Sequence, residues 1–176
     1  MIEIENVWHK EIKNIAKLIN NFHEMHDNVG VEQEINKLLD YFKTEIPKKE
    51  KEVKKLYFLQ WGSYQVLLKV IKKNPEYLEP FKKELMWLSR STNKNIFERA
   101  RELFKKSGIK TENEKAIYLK LEDLEQIRKD KDELDIKEIA ESLEINFDEA
   151  LDWIKQLLEE ERIKGYISSD KLHFIE

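Results

Sequence analysis

The sequence predicts a mainly α protein, in which a helical bundle or HEAT-like α-solenoid is followed by a C-terminal winged helix-turn-helix with a small β-hairpin. Charged residues make up 39% of the 176 positions, and only four Gly and three Pro are present to interrupt helices. Apolar residues recur at three- and four-residue steps over most of the chain, as in amphipathic helices. From Gly165 onward the pattern changes to alternation, which is typical of strands.

The composition also narrows the class of protein. There is no cysteine, so disulfides and thiolate metal sites are excluded and a reducing compartment is the simpler interpretation. No apolar run approaches the length of a membrane span, and the acidic start lacks a signal-peptide pattern. We therefore expect a cytoplasmic protein that has no membrane partner.

The net charge of −4 hides a division of the chain into two parts. Residues 1–110 hold 22 Lys/Arg against 16 Asp/Glu, whereas residues 111–176 hold 10 against 20. The change falls beside Gly108, which is also the best helix-stop signal in the chain. We therefore predict a helical domain over residues 1–110 and a winged-helix domain over residues 111–176, which either have different partners or attract each other.

Apolar periodicity and turn residues predict three helices in the first half of the helical domain. The first runs from about Glu5 to Asn28, and Gly30 is expected to break the chain after it. The second spans Val31 to Thr44. Pro47 is expected in the first turn of the third helix, which is densely apolar from Leu56 to Ile71.

Two more helices complete the helical domain. Asn74 and Pro75 supply an N-cap and a proline at the first helical position, and Pro80 then predicts a kink or an early restart. The fifth helix runs from about Lys94 to Lys106 and stops at Gly108. The segment from Tyr77 to Gly108 resembles one HEAT-like hairpin.

Capping signals divide the C-terminal domain into three helices. Boxes begin at Thr111, Asp135 and Asn146, and the helices that they open are predicted to end near Lys131, Leu143 and Arg162. Tyr166-Ile167 and Leu172-His173-Phe174-Ile175 flank the turn Ser168-Ser169-Asp170-Lys171, which predicts a hairpin. Two helices joined by a tight turn and followed by a hairpin form the outline of a winged helix.

The helix that would enter a DNA groove is acidic. Its outward face on a helical wheel holds five carboxylates and one lysine, contributed by Asp148, Glu149, Asp152, Lys155, Gln156, Glu159 and Glu160. Such a face repels the phosphate backbone, so DNA binding through this helix is disfavoured.

Trp153 borders the apolar stripe of the same helix. It is either a partly buried core residue or the aromatic anchor of a protein interface, whose acidic rim would select a basic partner. On the second interpretation, the predicted partner-binding face consists of Glu149, Asp152, Trp153, Gln156 and Glu160.

Three runs of this part of the chain resemble a known family. They are Asp135-Ile136-Lys137-Glu138-Ile139-Ala140-Glu141-Ser142-Leu143, Asn146-Phe147-Asp148-Glu149-Ala150 and Leu157-Leu158-Glu159-Glu160-Glu161-Arg162-Ile163-Lys164-Gly165-Tyr166-Ile167. Together they resemble the PCI-type winged helix, which follows helical repeats in scaffold subunits of the proteasome lid, the signalosome and a translation initiation factor. The hairpin from Ile163 to Ile175 is also similar to the end of DDRGK-domain proteins of the Ufm-type modifier pathway. The resemblance implies a scaffold, in one version associated with a ubiquitin-like modifier ligase.

A basic stretch lies in the helical domain. Lys69 to Lys110 contains twelve Lys/Arg against five Glu, and Lys94, Arg101 and Lys105 are predicted to align on one helix face. Three alternatives are a solvated surface, a site for an acidic protein or RNA backbone, and a surface that docks on the acidic C-terminal domain.

Signals for catalysis, cofactors or metals are weak. His23, Glu24 and His26 are more typical of a solvated helix end than of a metal site. The four glycines are scattered, and neither a phosphate-binding loop nor a nucleophile elbow occurs. We therefore expect a non-enzymatic scaffold or adaptor without cofactor or metal, which binds protein partners in a larger complex. The alternative is a nucleic-acid-binding regulator that uses the basic helical face, in which case RNA is a partner.

Overall fold

The computed structural model describes residues 9–110 and 114–175, which are mainly helical with a small three-stranded antiparallel sheet near the C-terminal end. This confirms the predicted fold class at that level. The chain divides into two compact units, Met1–Ile109 (unit 1) and Lys110–Glu176 (unit 2). Within the described ranges, no helix is long and apolar enough to cross a membrane.

The helices of unit 1 pack in succession around its longest one. They are α1 (Lys10–Glu24), α2 (Asn28–Lys43), α3 (Glu50–Lys73), a 3₁₀ segment (Pro75–Phe81), α4 (Lys82–Leu88) and α5 (Lys94–Ser107). The central helix is α3, because it contacts α1, α2 and α5, and α4 packs on α5. Each α-helix contributes to the core, where Ile12, Leu38, Leu67, Leu85 and Leu103 are at most 1% exposed.

Two helix boundaries in unit 1 differ from the prediction. Gly30 lies in the first turn of α2 and does not break the chain, because Asp27 Oδ1 accepts a hydrogen bond from the Gly30 backbone N–H at 2.9 Å. A Cβ at position 30 would lie 2.6 Å from the Phe22 ring, so glycine allows α1 and α2 to approach closely. The third helix begins at Glu50, so Pro47 precedes it and does not occupy its first turn. The predicted start of the first helix at Glu5 lies outside the described residues.

The later start and stop signals of unit 1 are confirmed. Asn74 Oδ1 accepts a hydrogen bond from the Glu76 N–H at 3.2 Å, and the 3₁₀ segment containing Pro80 gives way to a restart of the helix at Lys82. Asn93 caps α5 through the Asn95 N–H. Gly108 follows α5 with a left-handed φ of 67°, a conformation that glycine adopts without a Cβ penalty.

Unit 2 combines three short helices with the sheet. Its elements are a 3₁₀ turn (Glu114–Ile117), α6 (Leu121–Arg128), β1 (Glu133–Asp135), α7 (Ile136–Leu143), α8 (Phe147–Glu159), β2 (Gly165–Ser168) and β3 (Lys171–Phe174). The middle strand is β3, which is antiparallel to both neighbours, and its Leu172 aligns with Leu134 on one side and Ile167 on the other. Leu134 and Leu172 are buried, while α7 packs against α6, α8 and β1.

The hairpin and one of the capping boxes are confirmed in unit 2. Asn146 and Glu149 exchange both hydrogen bonds of a capping box. Ser169 and Asp170 connect β2 to β3, both with positive φ, as a two-residue hairpin loop of the primed type requires.

The other capping predictions are corrected or lie outside the described residues. Asp135 caps α7 through the Lys137 N–H at 2.7 Å, but Glu138 pairs with Lys131 at 2.6 Å and does not complete a box. The box predicted at Thr111 falls on residues 111–113, which are outside the described ranges. The helix predicted to reach Lys131 is instead a 3₁₀ turn followed by α6, and β1 was not predicted.

Candidate interaction surfaces

The outward face of α8 is an acidic stripe, defined by Asp148, Asp152, Lys155 and Glu159. These residues follow one another at steps of four, three and four, which places them on one side of the helix. All four are exposed, and three of them carry a carboxylate. The stripe presents negative charge to any partner that approaches this side of unit 2.

Two members of the predicted partner-binding face are corrected, because Trp153 is 0% exposed and Gln156 is 4% exposed. Trp153 lies three residues after Ala150 and four before Leu157, both of which are fully buried, so it belongs to the middle of the core stripe. Gln156 lies at the edge of this stripe, where its Nε2 donates a hydrogen bond to Glu160 Oε1 at 2.9 Å. Trp153 is therefore part of the core of unit 2 and not an exposed anchor.

The remaining members of that predicted face are not equally exposed. Asp152 is exposed, whereas Glu149 is half-buried and occupied in the capping box with Asn146. Glu160 is half-buried, accepts the hydrogen bond from Gln156 and lies 3.6 Å from Arg162. The acidic stripe keeps only Asp152 from the predicted set.

The hairpin adds little positive charge to unit 2. Lys171 on β3 donates a hydrogen bond to Glu133 Oε1 on β1 at 2.5 Å, and His173 Nδ1 lies 3.5 Å from the other oxygen of the same carboxylate. The hydrogen bond from Lys171 holds the pKa of Glu133 below its usual value, and Glu133 raises the pKa of Lys171 in return. The charge of Lys171 is therefore paired with Glu133 within the sheet. Lys164, which precedes the hairpin, is exposed.

The predicted basic face on α5 contains two exposed lysines and one arginine whose guanidinium is hydrogen-bonded within unit 1. Lys94 and Lys105 are exposed, and Lys94 Nζ lies 3.8 Å from Glu98. Arg101 Nε donates a hydrogen bond to the carbonyl oxygen of Ser89 at 2.9 Å, and its guanidinium lies 4.5 Å from the centre of the Phe97 ring. Arg101 therefore holds the turn before α5, and the basic face of Lys94, Arg101 and Lys105 stays a prediction.

A cluster that was not predicted lies on α3. Tyr57, Phe58 and Trp61, called here the aromatic patch, are 46%, 57% and 42% exposed. The Tyr57 and Phe58 rings meet edge to face at a centroid distance of 6.3 Å. Large aromatic side chains exposed together mark interaction surfaces more often than single exposed apolar residues do.

Arg99 on α5 lies behind the aromatic patch and is only 8% exposed. The carbon at the centre of its guanidinium lies 5.2 Å from the ring centre of Tyr57, 5.1 Å from that of Trp61 and 5.9 Å from that of Tyr64. These distances allow cation–π attraction, which orients the side chain. Its Nη1 atom is buried and has no hydrogen-bond partner among the described residues. Arg99 therefore keeps hydrogen-bonding capacity beside an exposed aromatic surface.

A polar chain near Arg99 joins α3 to α5. The Tyr64 hydroxyl donates a hydrogen bond to Glu102 Oε2, and Lys106 Nζ lies 2.5 Å from Glu102 Oε1. Burial raises the pKa of Tyr64, and the bond to Glu102 raises it further. Lys106, followed by Tyr64, lowers the pKa of Glu102. The carboxylate is thus ionised and held by α3 and α5 together at neutral pH.

An open groove of about 470 Å³ lies farther along the same two helices. Its apolar lining comes from Leu68, Ile71 and Pro75, and its charged lining comes from Lys69, Lys72 and Lys106. We call this the α3–α5 groove. Its lining therefore offers apolar contacts rimmed by lysines.

Neither His23 nor His26 belongs to a metal cluster within the described ranges, where no group of three ligating side chains is found. His23 Nδ1 lies 2.7 Å from the Tyr77 hydroxyl, so it contacts the 3₁₀ segment that precedes α4.

Comparison of the chain with protein-family models, curated proteins and solved structures finds no match. The PCI-type and DDRGK-type resemblance therefore stays a prediction, and the surfaces described above are the basis for assigning a function.

Sequence reasoning missed the aromatic patch, although α3 carried a signal for it. Its buried face is already filled by Leu56, Leu59, Leu67 and other aliphatic residues. Tyr57, Phe58 and Trp61 are additional apolar residues that one helical stripe cannot also bury.

Proposed function

We propose that this chain is a non-enzymatic adaptor that binds protein partners within a multi-subunit assembly. The observation that carries the proposal is the aromatic patch on α3, whose three residues are all more than 40% exposed although other aromatic side chains of unit 1, such as Phe42 and Phe104, are buried. Aromatic side chains are enriched in the centres of protein interfaces and give large contact areas there.

The order of elements in unit 2 supports a winged helix. A helix, a short strand, two packed helices and a hairpin follow one another, and the last strand lies between the other two. In this assignment α8 takes the place of the recognition helix, and β2 and β3 form the wing. A HEAT-like solenoid in unit 1 and a PCI-type winged helix in unit 2 are the finer version of the proposal. A scaffold of a Ufm-type ligase or a proteasome-lid-like assembly is its most specific form.

The charge on α8 favours a protein partner over DNA. Asp148, Asp152 and Glu159 would face the phosphates, and Lys155 is the one cation of the stripe. Non-specific DNA affinity depends on neutralising phosphates with Lys and Arg, which this surface does not offer. The acidic stripe suits a basic protein surface instead.

A nucleic-acid-binding regulator is the second candidate. Exposed Lys94 and Lys105 on α5 favour it, together with an arginine placed among aromatic rings, a combination that stacks single-stranded bases in other proteins. Lys94 and Lys106 lie beside Glu98 and Glu102, however, so these two cations of α5 are partly neutralised by carboxylates of the same helix.

The test is affinity capture with the full chain from cells that express it, with and without nuclease, followed by mass spectrometry. We expect stoichiometric protein partners that survive nuclease. The variant Asp148→Lys/Asp152→Lys/Glu159→Lys should lose those that bind unit 2, whereas Lys155→Ala serves as the matched control. Salt-sensitive binding to duplex DNA or single-stranded RNA, together with loss of every captured protein after nuclease, would establish the regulator instead.

A further inference from the structure

We propose that Arg99, the aromatic patch and the α3–α5 groove form one binding site for an acidic segment of a partner protein, in which a carboxylate binds Arg99 and a neighbouring apolar side chain enters the groove. This inference rests on the proposed adaptor function and names the chemistry of its partner. The carboxylate of the ligand is assigned to Arg99 and the aromatic patch, and its apolar side chain is assigned to the α3–α5 groove.

Helix geometry places both parts on the same side of unit 1. Tyr57, Trp61, Leu68 and Lys72 follow one another on α3 at steps of four, seven and four residues. Lys106 follows Arg99 by seven residues on α5, which packs against α3. At 1.5 Å per residue the distance along α3 from Tyr57 to Leu68 is roughly 16 Å, which three turns of helix or about five extended residues would span.

The state of Arg99 indicates the charge of the ligand. A guanidinium has five N–H donors, and the buried Nη1 of Arg99 has no acceptor among the described residues. Leaving a buried charged donor unpaired is unfavourable, so an incoming acceptor gains more here than at an exposed lysine. A planar carboxylate matches the guanidinium fork of Arg99, which lies close to the rings of Tyr57 and Trp61.

The surroundings favour a carboxylate on a peptide over a chain of phosphates. Backbone phosphates need a track of free cations, but three lysines in this region lie beside carboxylates in the pairs Lys54–Glu50, Lys94–Glu98 and Lys106–Glu102. At the aromatic patch a ligand would meet the buried guanidinium of Arg99 next to exposed rings. A single anionic side chain beside an apolar one fits this pattern.

The α3–α5 groove is the part of the site that would bind the apolar side chain of the ligand. Leu68, Ile71 and Pro75 form its apolar lining, and Lys69, Lys72 and Lys106 lie around it. Such a lining accepts an aliphatic or aromatic side chain, while the lysines favour further acidic residues on either side of it. The segment that fits is therefore acidic and contains at least one large apolar residue.

The experiment is a selection of random 12-residue peptides displayed on phage against the immobilised full chain, followed by affinity measurement with synthetic peptides. We expect enriched peptides to carry Asp or Glu close to Leu, Ile, Phe or Trp. Replacing that acid by its amide should weaken binding at least tenfold. Trp61→Ala should weaken it by roughly tenfold or more, as removal of a central aromatic anchor does.

Matched variants separate binding from folding. Met25→Ala removes an apolar side chain that is 63% exposed outside α3 and α5, and it should leave the affinity unchanged. Arg99→Gln should abolish binding of the acidic peptide and make the peptide and its amide form equivalent. Because Arg99 is buried, Arg99→Lys is measured as well, and it should retain the preference for the acid while losing affinity. Circular dichroism and the Arg99 Nε–Hε resonance report directly on fold and contact.

The outcomes are distinct from those that test the adaptor function. Peptides that bind equally well to the chain and to Trp61→Ala would overturn this site while leaving an adaptor that uses another surface. Enrichment of peptides without acidic residues would overturn the carboxylate assignment. A 12-nucleotide oligouridine that outcompetes the selected peptides, and whose binding is lost in Trp61→Ala, would assign the site to RNA and overturn the inference.

Discussion

The hydroxyl of Tyr64 on α3 donates a hydrogen bond to Glu102 Oε2 on α5, and this bond joins two helices of unit 1 directly behind the exposed aromatic patch. Tyr64 itself is buried, so its ring belongs to the core while its hydroxyl reaches the edge of the site. The same carboxylate pairs with Lys106, so Glu102 connects the core of unit 1 to the groove.

Tyr64→Phe should lower the free energy of unfolding of unit 1 by about 1 kcal/mol, because one hydrogen bond to a charged but partly solvated acceptor is lost. Residue-resolved hydrogen exchange of the amides of unit 1 measures this. Tyr57→Phe removes an exposed hydroxyl from the same helix and should change stability by less than about 0.5 kcal/mol. Equal losses in the two variants would contradict the structural role of the Tyr64–Glu102 bond.

The lowered pKa of Glu102 predicts a specific pH dependence. Because Lys106 and Tyr64 hold the pKa of Glu102 below 4.5 in the folded chain, its contribution to stability is fully present above pH 4.5 and is lost as the pH falls through the folded value. Glu102→Gln removes this contribution at every pH. The difference in unfolding free energy between the chain and this variant should therefore be constant near neutral pH and shrink below pH 4.5. A difference that grows on acidification would show that the sign is wrong.

Trp153→Ala should unfold unit 2 or lower its unfolding free energy by about 3–5 kcal/mol, since it leaves a large cavity among fully buried side chains. Trp153→Phe should cost less, because it keeps an aromatic ring and removes an indole Nε1 that has no hydrogen-bond partner among the described residues. Asp152→Ala is the exposed neighbour and should be nearly neutral. Residue-resolved hydrogen exchange measures unit 2 separately from unit 1, and similar protection in all three variants would contradict the burial of Trp153.

Gly165→Ala should open the hairpin, whereas Gly108→Ala should have a smaller and local effect. A Cβ at position 165 would lie 2.2 Å from the His173 backbone oxygen, so β2 and β3 would have to separate. A Cβ at position 108 meets open space and is disfavoured only by its φ of 67°, at a cost of about 1–2 kcal/mol. The rings of Tyr166 and His173 stack at 4.9 Å across the hairpin, so loss of their mutual NMR contacts reports on its opening.

Those elements that are set by local chemistry could be predicted from the sequence. Asn74, Asn93 and Asn146 each cap a helix with their own side chain, and Gly108 ends α5, so each boundary depends on a few adjacent residues. The mainly helical class and the hairpin follow from periodicity in the same way. Gly30 was misassigned because its role depends on Phe22, eight residues away, whose ring occupies the place of a Cβ.

The candidate sites could be predicted only in part, because exposure depends on which side of a helix its neighbours cover. A helical wheel placed the four residues of the acidic stripe outward as observed, yet it also put Gln156 outward and Trp153 at the edge of the core, and both are buried. Likewise β1 has only three residues, which are too few to show the apolar–polar alternation of a strand. It forms a strand because β3 pairs with it. Arg99 joins the aromatic patch through the packing of α5 on α3, which no local pattern encodes.

The middle position of β3 has a consequence for the time course of folding. Glu133 and His173 are paired across about 40 residues of chain, whereas consecutive helices of unit 1 meet their neighbours as soon as both have formed. Contacts between distant residues form slowly, and ribosomes add roughly 5–20 residues per second. A nascent chain halted before Lys171 would hold β1 without its partner strand, while the helices of unit 1 would already be complete.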